Sequence, residues 1–325
     1  MQRVRVTRSS TPAGSPSTSM DRLHFSLPEP GKVDVIYRSA CLTVRDVHCS
    51  LFHHSCGPEE YSNAHEIVLV RSGLFTKTTD GETLVADPNH VLFCTRHQPY
   101  HVTHPVAGGD TCTLLSLRPS DLLEVIRSYA PADAECEDAP FPFTWALSTP
   151  RTFLLQHALL SRLQRGEIAP LAAEDLVFEL VDDLISRAYE LFRDRGHRAP
   201  LEAGRRHRTL VEAAKLLIDQ NVQSPPALGD VAEALGCSPY HLSRIFHRES
   251  GLPMRRYLDR CRLRTALERL AEGERDLTGL ALDLGYADHS HFSNAFHREF
   301  GMTPSLFRRR AGSTLLRAAR KNLQA

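Results

Sequence analysis

Apolar positions recur with helical spacing in two matched runs between Leu228 and Arg310. In the first run Val231, Ala232 and Leu235 share one side of a helix; after a break at Gly236 the apolar side resumes with Leu242, Ile245 and Phe246. In the second run Phe292, Ala295 and Phe296 repeat the later stripe. Ala232 and Gly236 match Ala281 and Gly285 at an offset of 49, whereas Ser243, Phe246, His247, Arg248, Glu249 and Gly251 match Ser293, Phe296, His297, Arg298, Glu299 and Gly301 at 50. One unit is used twice, and the slip of one residue falls in its turn. Gly236 stands where a left-handed residue stops a helix, Ser238-Pro239 restarts it with a serine cap and a proline at the first helical position, and Gly251 ends it. Asp288 takes the cap position in the second copy. A helix, a tight turn and a second helix with a polar outer face is the sequence form of helix-turn-helix.

Upstream the period shortens. Val33–Tyr37, Cys41–Val47, Glu66–Val70, Leu74–Thr78, Thr83–Ala86, Val91–Thr95 and Thr111–Leu117 are β-branched or aromatic runs punctuated by Gly, Pro, Asn and Asp, which predicts a sandwich or small barrel. Beyond Pro119 the spacing is helical again. Helices are predicted over Pro119–Tyr129, Thr152–Leu163 and Ala173–Arg195, with a loop around Trp145 and a polar linker up to Arg206. Thr209 and Glu212 form a capping-box pattern opening a helix to Gln220, and Pro253–Leu270 predicts a connecting helix between the repeats, with arginines on several faces. The fold class is α+β: an N-terminal β-sandwich, a helical connector and an all-α C-terminal domain with two helix-turn-helix units.

Composition adds one decisive fact. The whole chain has 39 Lys+Arg against 39 Asp+Glu, but residues 201–325 hold 20 against 14 and residues 1–200 hold 19 against 25. A neutral chain therefore hides a basic half that carries the repeat, as a phosphate-binding surface requires. No apolar run approaches the roughly 20 residues that span a bilayer, and no signal-peptide core is present, so a cytoplasmic location is expected. Eight scattered cysteines make reduced thiols the default. Residues 1–20 are rich in Ser, Thr and Pro and contain no acidic residue, the composition of a disordered tail.

The segment from about Arg205 to Arg310, closing on Phe-Gly-Met-Thr-Pro-Ser-Leu-Phe-Arg-Arg-Arg, resembles the DNA-binding domain of AraC/XylS-type transcription regulators. His65–Gly73, Ala86–Asn89 and Pro99–Pro105 resemble, more weakly, the cupin-like domain that precedes it in many of them. The resemblance implies a disordered tail at 1–22, a cupin-like ligand-binding domain at 23–150, a connector at 151–204 able to form a dimer contact, the double helix-turn-helix at 205–312 and a basic tail at 313–325. It places Tyr240, Ser243 and Arg244 of the first recognition helix, and His289, Ser290, Ser293 and Asn294 of the second, at base-reading positions. Arg244 is the sharpest of these, since a guanidinium bonds O6 and N7 of guanine together, worth about 1–3 kcal/mol of discrimination. Asn294 stands where such regulators often carry arginine, and its amide suits adenine. The implied partners are double-stranded DNA, a small-molecule effector, a second copy of the chain and RNA polymerase. The implied role is a regulator of activator type.

Candidate effector-binding residues are His65, His97, Tyr100, His101 and His104. Metal-binding cupins resemble one another in an HxH pair followed by glutamate; His65-Glu66 lacks the second histidine, and His48, Cys49, His53, His54 and Cys56 match no finger or ribbon spacing, so no metal or other cofactor is expected. No nucleophile elbow, P-loop or dinucleotide fingerprint is present, and catalysis is not expected. Two other readings stay open: a cupin-type metalloenzyme with a DNA-binding tail, and a non-specific architectural DNA binder.

Overall fold

A computed structural model of the chain describes residues 31–50, 58–106, 108–195, 202–221 and 224–309. The tails expected at 1–22 and 313–325, and His53, His54 and Cys56, lie outside the described residues. The β-rich part contains β1 (Gly31–Arg38), β2 (Leu42–Cys49), β3 (Glu59–Tyr61), β4 (Glu66–Gly73), β5 (Phe75–Thr79), β6 (Glu82–Ala86), β7 (His90–Cys94), β8 (Pro99–Thr103), β9 (Asp110–Leu117) and β10 (Trp145–Leu147). They form a six-stranded sheet in the order β1-β2-β9-β4-β7-β10 facing a four-stranded sheet in the order β3-β8-β5-β6. Three of these strands, β3, β8 and β10, escape the sequence pattern. β3 and β10 are only three residues long, and Trp145, read as part of a loop, pairs with Leu92 of β7.

Register decides which residues face inward. Val47 opposite Cys112, and Val68 opposite Leu114, direct these side chains into a core shared with Phe75 and Ala86 of the small sheet. The alternate set, Val44, Ile67, Leu69, Val91, Phe93 and Leu115, faces the other way and packs under helices. Because both faces are covered, β4 and β7 read as nearly unbroken apolar runs. The covering helices are α1 (Pro119–Arg127), α2 (Pro150–Gln164) and α3 (Pro170–Arg195). Leu176, Leu180 and Leu184, the stripe on α3, are buried in this same core, so that stripe serves packing within the chain.

The C-terminal half contains α4 (Glu202–Asp219), α5 (Leu228–Ala234), α6 (Pro239–Ser250), α7 (Met254–Ala271), α8 (Leu277–Asp283), α9 (His289–Phe300) and α10 (Pro304–Arg309). Helix α4 starts at Glu202, which puts Thr209 inside the helix and removes the expected capping box. Glu212 is used differently: its Oε2 accepts a 2.6 Å bond from the Val85 amide of β6, and its Oε1 lies 2.9 Å from Lys215 Nζ.

Helix α7 joins everything. Its first half packs with Val211, Leu242, Ile245 and Phe246 around the first helix-turn-helix unit. Its second half, from Leu263 to Leu270, packs with the second unit and shares a continuous core with α2 and α3. Its arginines are not all available to solvent or phosphate, because Arg264 has no exposed surface. Its guanidinium donates to the Pro88 carbonyl, to Asn89 Oδ1 at 2.7 Å and to the Ser148 carbonyl at 2.7 Å. Asn89 returns the contact, donating through Nδ2 toward the Tyr257 carbonyl and Cys261 Sγ. Arg256 and Arg260 pair with Glu299 of α9 at 2.8 and 3.0 Å, and Arg269 with Glu274 and Asp283.

The β6–β7 turn is thus one of the contacts between the two halves. Next to it, burial and the Lys215 ammonium lower the affinity of His90 for a proton. As a neutral ring His90 donates through Nδ1 to Asp87 Oδ1 at 3.0 Å and accepts at Nε2 from Lys215 Nζ at 3.2 Å. On the far side of α7, His157 of α2 lies 3.6 Å from Glu268 and packs on the Phe307 ring.

Two outcomes follow for stability. Arg264→Ala leaves three buried acceptors without a donor, each worth about 1–3 kcal/mol, so urea unfolding of the full chain is expected to show a loss of about 3–5 kcal/mol. Arg264→Lys should recover only part, because a single ammonium cannot serve acceptors on two sides. Asp219, at the end of α4, has its carboxyl pushed by burial and by Asp87 from 3.8 to about 6. The folded chain then retains a proton that the unfolded chain releases between pH 4 and 6, so ionised Asp219 costs stability above about pH 6 and nothing below about pH 4. Asp219→Asn should stabilise the protein at pH 7.5 by about 1–3 kcal/mol, with the gain shrinking to zero as pH falls to 4; an equal gain at both pH values refutes the assignment.

Candidate nucleic-acid interface and N-terminal pocket

The two helix-turn-helix units are built by the local rules anticipated from sequence. Gly236 and Gly285 adopt φ of 63° and 73° in the turns, and Gly251 and Gly301 close α6 and α9 at 74° and 71°. Ser238 Oγ accepts from the His241 amide at 3.2 Å, and Asp288 Oδ1 accepts from the His291 amide at 2.7 Å. With these caps fixed, α6 buries Leu242, Ile245 and Phe246 and turns Tyr240, Ser243 and Arg244 outward. Tyr240 is 79% exposed. Together with His247, Arg248 and Gly251 these three line a shallow groove of about 480 Å³.

Helix α9 buries Phe292, Ala295 and Phe296 in the same way and leaves Ser290 and Asn294 exposed. His289 and Ser293 are half-buried and lie 3.3 Å apart, Nε2 to Oγ. They contact each other, so of the four expected reading positions on α9 the exposed ones are Ser290 and Asn294. Glu299, at the inner end of α9, is buried against Arg256 and Arg260, which ties the second reader to α7. Arg308 donates to the Arg275 carbonyl at 2.8 Å, whereas Arg309 is exposed.

The five N-terminal candidates do not converge. His65 is buried and both ring nitrogens are engaged: Nδ1 accepts from the Arg96 amide at 3.2 Å, leaving Nε2–H for the Glu137 carbonyl at 3.0 Å. His97 is exposed at φ 62° and borders a cleft of about 380 Å³ with Phe93, Arg96 and Phe141. His101 is half-buried and sits on the face of β8 opposite Tyr100. Tyr100 faces the space between the sheets, under Lys77 Nζ at 4.6 Å, and burial makes its hydroxyl a much weaker acid than usual. His104 is buried beyond the end of β8, with Nε2 3.0 Å from Asp110 Oδ1. Burial opposes its charge, but Asp110 and Cys49 prevail and raise its pKa to about 9.

Tyr100 has polar company that sequence reading did not single out. Glu60 lies opposite it on β3 and is pushed up by burial. Lys77 donates to Cys94 Sγ at 2.9 Å, and Arg45 bonds Glu66 and Ser116. Arg45, Glu60, Glu66 and Lys77 thus bring buried charge to one end of the inter-sheet space, while Cys49, His104 and Asp110 meet at another place. Only the pairing of β2 with β9 and of β3 with β8 brings these groups together.

A helix-turn-helix domain family matches residues 231–310. The regulatory protein SoxS of Salmonella typhimurium is 33% identical over 104 residues, covering 32% of this chain and 97% of its own length. The HTH-type transcriptional activator RhaS of an Enterobacter species is 22% identical over 263 residues, covering 79% of this chain and 90% of its own. Among solved structures, an AraC-type DNA-binding domain regulator from Chromobacterium violaceum shares 25% identity over 32% of this chain and 92% of that one, at a TM-score of 0.30. No helix among the described residues is long and apolar enough to cross a membrane. The duplicated readers, each with a side-chain N-cap and a closing glycine, and the near-complete match to a SoxS chain identify this protein as a member of the AraC/XylS family of DNA-binding transcription regulators.

Proposed function

We propose that this chain is a sequence-specific regulator, of activator type, in which α6 and α9 read successive major-groove segments and the space between the two sheets receives a small-molecule effector. The observation that carries the first part is the pair of exposed polar helix faces, Tyr240–Ser243–Arg244 and Ser290–Asn294, held by the single helix α7. Two readers on one face of DNA must sit about one helical turn apart, about 34 Å, and α7 is the rod that sets that spacing. Arg244 is the principal base reader, and Arg309 a phosphate contact. Tyr100 and the half-buried charged groups around it supply the polar anchors that an effector entering between the sheets needs. The protein acts by binding rather than by turnover, works in the cytoplasm with DNA and RNA polymerase as partners, and pairs with a second copy through the connector. Its working domains are those at 23–150, 151–204 and 205–312.

Genome-wide binding of the full-length protein at about physiological salt tests the proposal, since non-specific binding is weakened there. Enrichment at a few sites beside operons supports it, and uniform coverage would favour the architectural reading. Arg244→Ala is expected to lose preference at one base position, at about 1–3 kcal/mol, while Arg309→Ala weakens all sequences alike and reduces the salt slope by about one. Equal losses for Arg244→Ala on operator and random DNA refute base reading.

A further inference from the structure

The β2–β9 register sets Cys49 directly opposite Asp110, and the chain leaving β8 brings His104 against both. All three side chains are buried, and one ligand atom from each, Sγ, Nε2 or Nδ1, and a carboxylate oxygen, lies within 4.8 Å of the others. Thiolate, imidazole and carboxylate around a tetrahedral zinc, at about 2.0–2.3 Å each, stand about 3.3–3.8 Å from one another. The cluster therefore needs only a small contraction on the sulfur side and a small opening between His104 and Asp110. We propose that Cys49, His104 and Asp110 form a binding site for one divalent cation of the zinc class.

Two further observations support the site. Asp110 Oδ1 is buried and lies 3.0 Å from His104 Nε2 without an aligned hydrogen bond, so the pair is held by charge and leaves the oxygen's lone pairs available to a cation. Two glycines hold the ligands' backbone in place: Gly109, at φ 70°, lies so close that a Cβ there would overlap the Cys49 carbonyl, and a Cβ on Gly73 would overlap the Gly109 carbonyl. Charge also fits, because a thiolate and a carboxylate with a neutral imidazole carry two negative charges. Calcium and magnesium are poor candidates, since they take oxygen ligands. Cys112, whose Sγ lies 3.4 Å from Asp110 Oδ2, is held as a neutral thiol by burial and acts as a neighbour rather than a ligand. The competing reading is an ion pair between Asp110 and protonated His104 that merely staples β9 to the end of β8.

The test uses the full-length protein stripped of metal and titrated with Co²⁺ alone, then with Zn²⁺. One equivalent of Co²⁺ is expected to give a near-ultraviolet thiolate-to-cobalt charge-transfer band that Zn²⁺ abolishes. Cys49→Ser should lose the band, and His104→Gln should weaken Co²⁺ binding by at least about tenfold. Absence of the band in the wild-type chain, or its persistence in Cys49→Ser, overturns the proposal. If Cys49→Ser does not fold, peptide mass spectrometry of iodoacetamide labelling on the wild-type chain decides: Zn²⁺ must slow alkylation of Cys49, and an unchanged rate means that the ion sits on other side chains and the proposal is wrong.

Discussion

The buried guanidinium of Arg264 is the constraint on which the two halves of this protein depend. A charge with no exposed surface is tolerated only if it finds acceptors, and Pro88, Asn89 and Ser148 of the β domain accept from its two terminal nitrogens, leaving Nε alone without a partner, while the side chain starts from a helix of the DNA-binding domain. Burial lowers its pKa to about 10, which still leaves it charged at neutral pH. The requirement for geometry is therefore strict: if the β6–β7 turn shifts, the Pro88 carbonyl and Asn89 Oδ1 leave the cation together. Around this centre Asn89 bonds back to α7, and the Asp87–His90–Lys215–Glu212 chain of contacts fastens α4.

Because α7 lies at this contact, the sensor and reader parts are close in structure although far apart in sequence. Strands β6 and β7 contribute Ala86, Leu92 and Cys94 to the space between the sheets, and the turn that joins them meets Arg264. The same helix carries Arg256 and Arg260, which grip Glu299 of the second reader, and packs Tyr257 and Leu258 into the core of the first. Both recognition helices thus take their placement from one element whose middle is docked on the β domain.

The reading helices were legible in the sequence because their causes are local. A serine or aspartate cap acts on an amide three residues away, and a glycine at positive φ ends a helix within one turn, so Ser238, Gly251, Asp288 and Gly301 announce α6 and α9. The apolar stripes then say which face is left for DNA. The small strands β3 and β10 were not legible, since three residues carry no period, and β8 lacks a clean alternation. The capping box at Thr209 had the right residues in the wrong context, because α4 runs through it and Glu212 is taken by Val85 and Lys215.

By itself the sequence determined the duplicated readers, their caps, the outward face of Tyr240, Ser243 and Arg244, the basic character of the half that carries them and the β-rich character of the half that precedes it, but on the second reader it did not separate the exposed Ser290 and Asn294 from the half-buried His289 and Ser293. These are properties of neighbouring residues along one chain. Only the tertiary structure decided that Arg264 points into the β domain, that His65 is a clamp between Arg96 and Glu137, and that Cys49, His104 and Asp110 meet. Each of these depends on strand register or on the docking of distant elements. A shift of one residue in β2 against β9 would send Cys49 to the opposite face of the sheet, and nothing local in either strand forbids it.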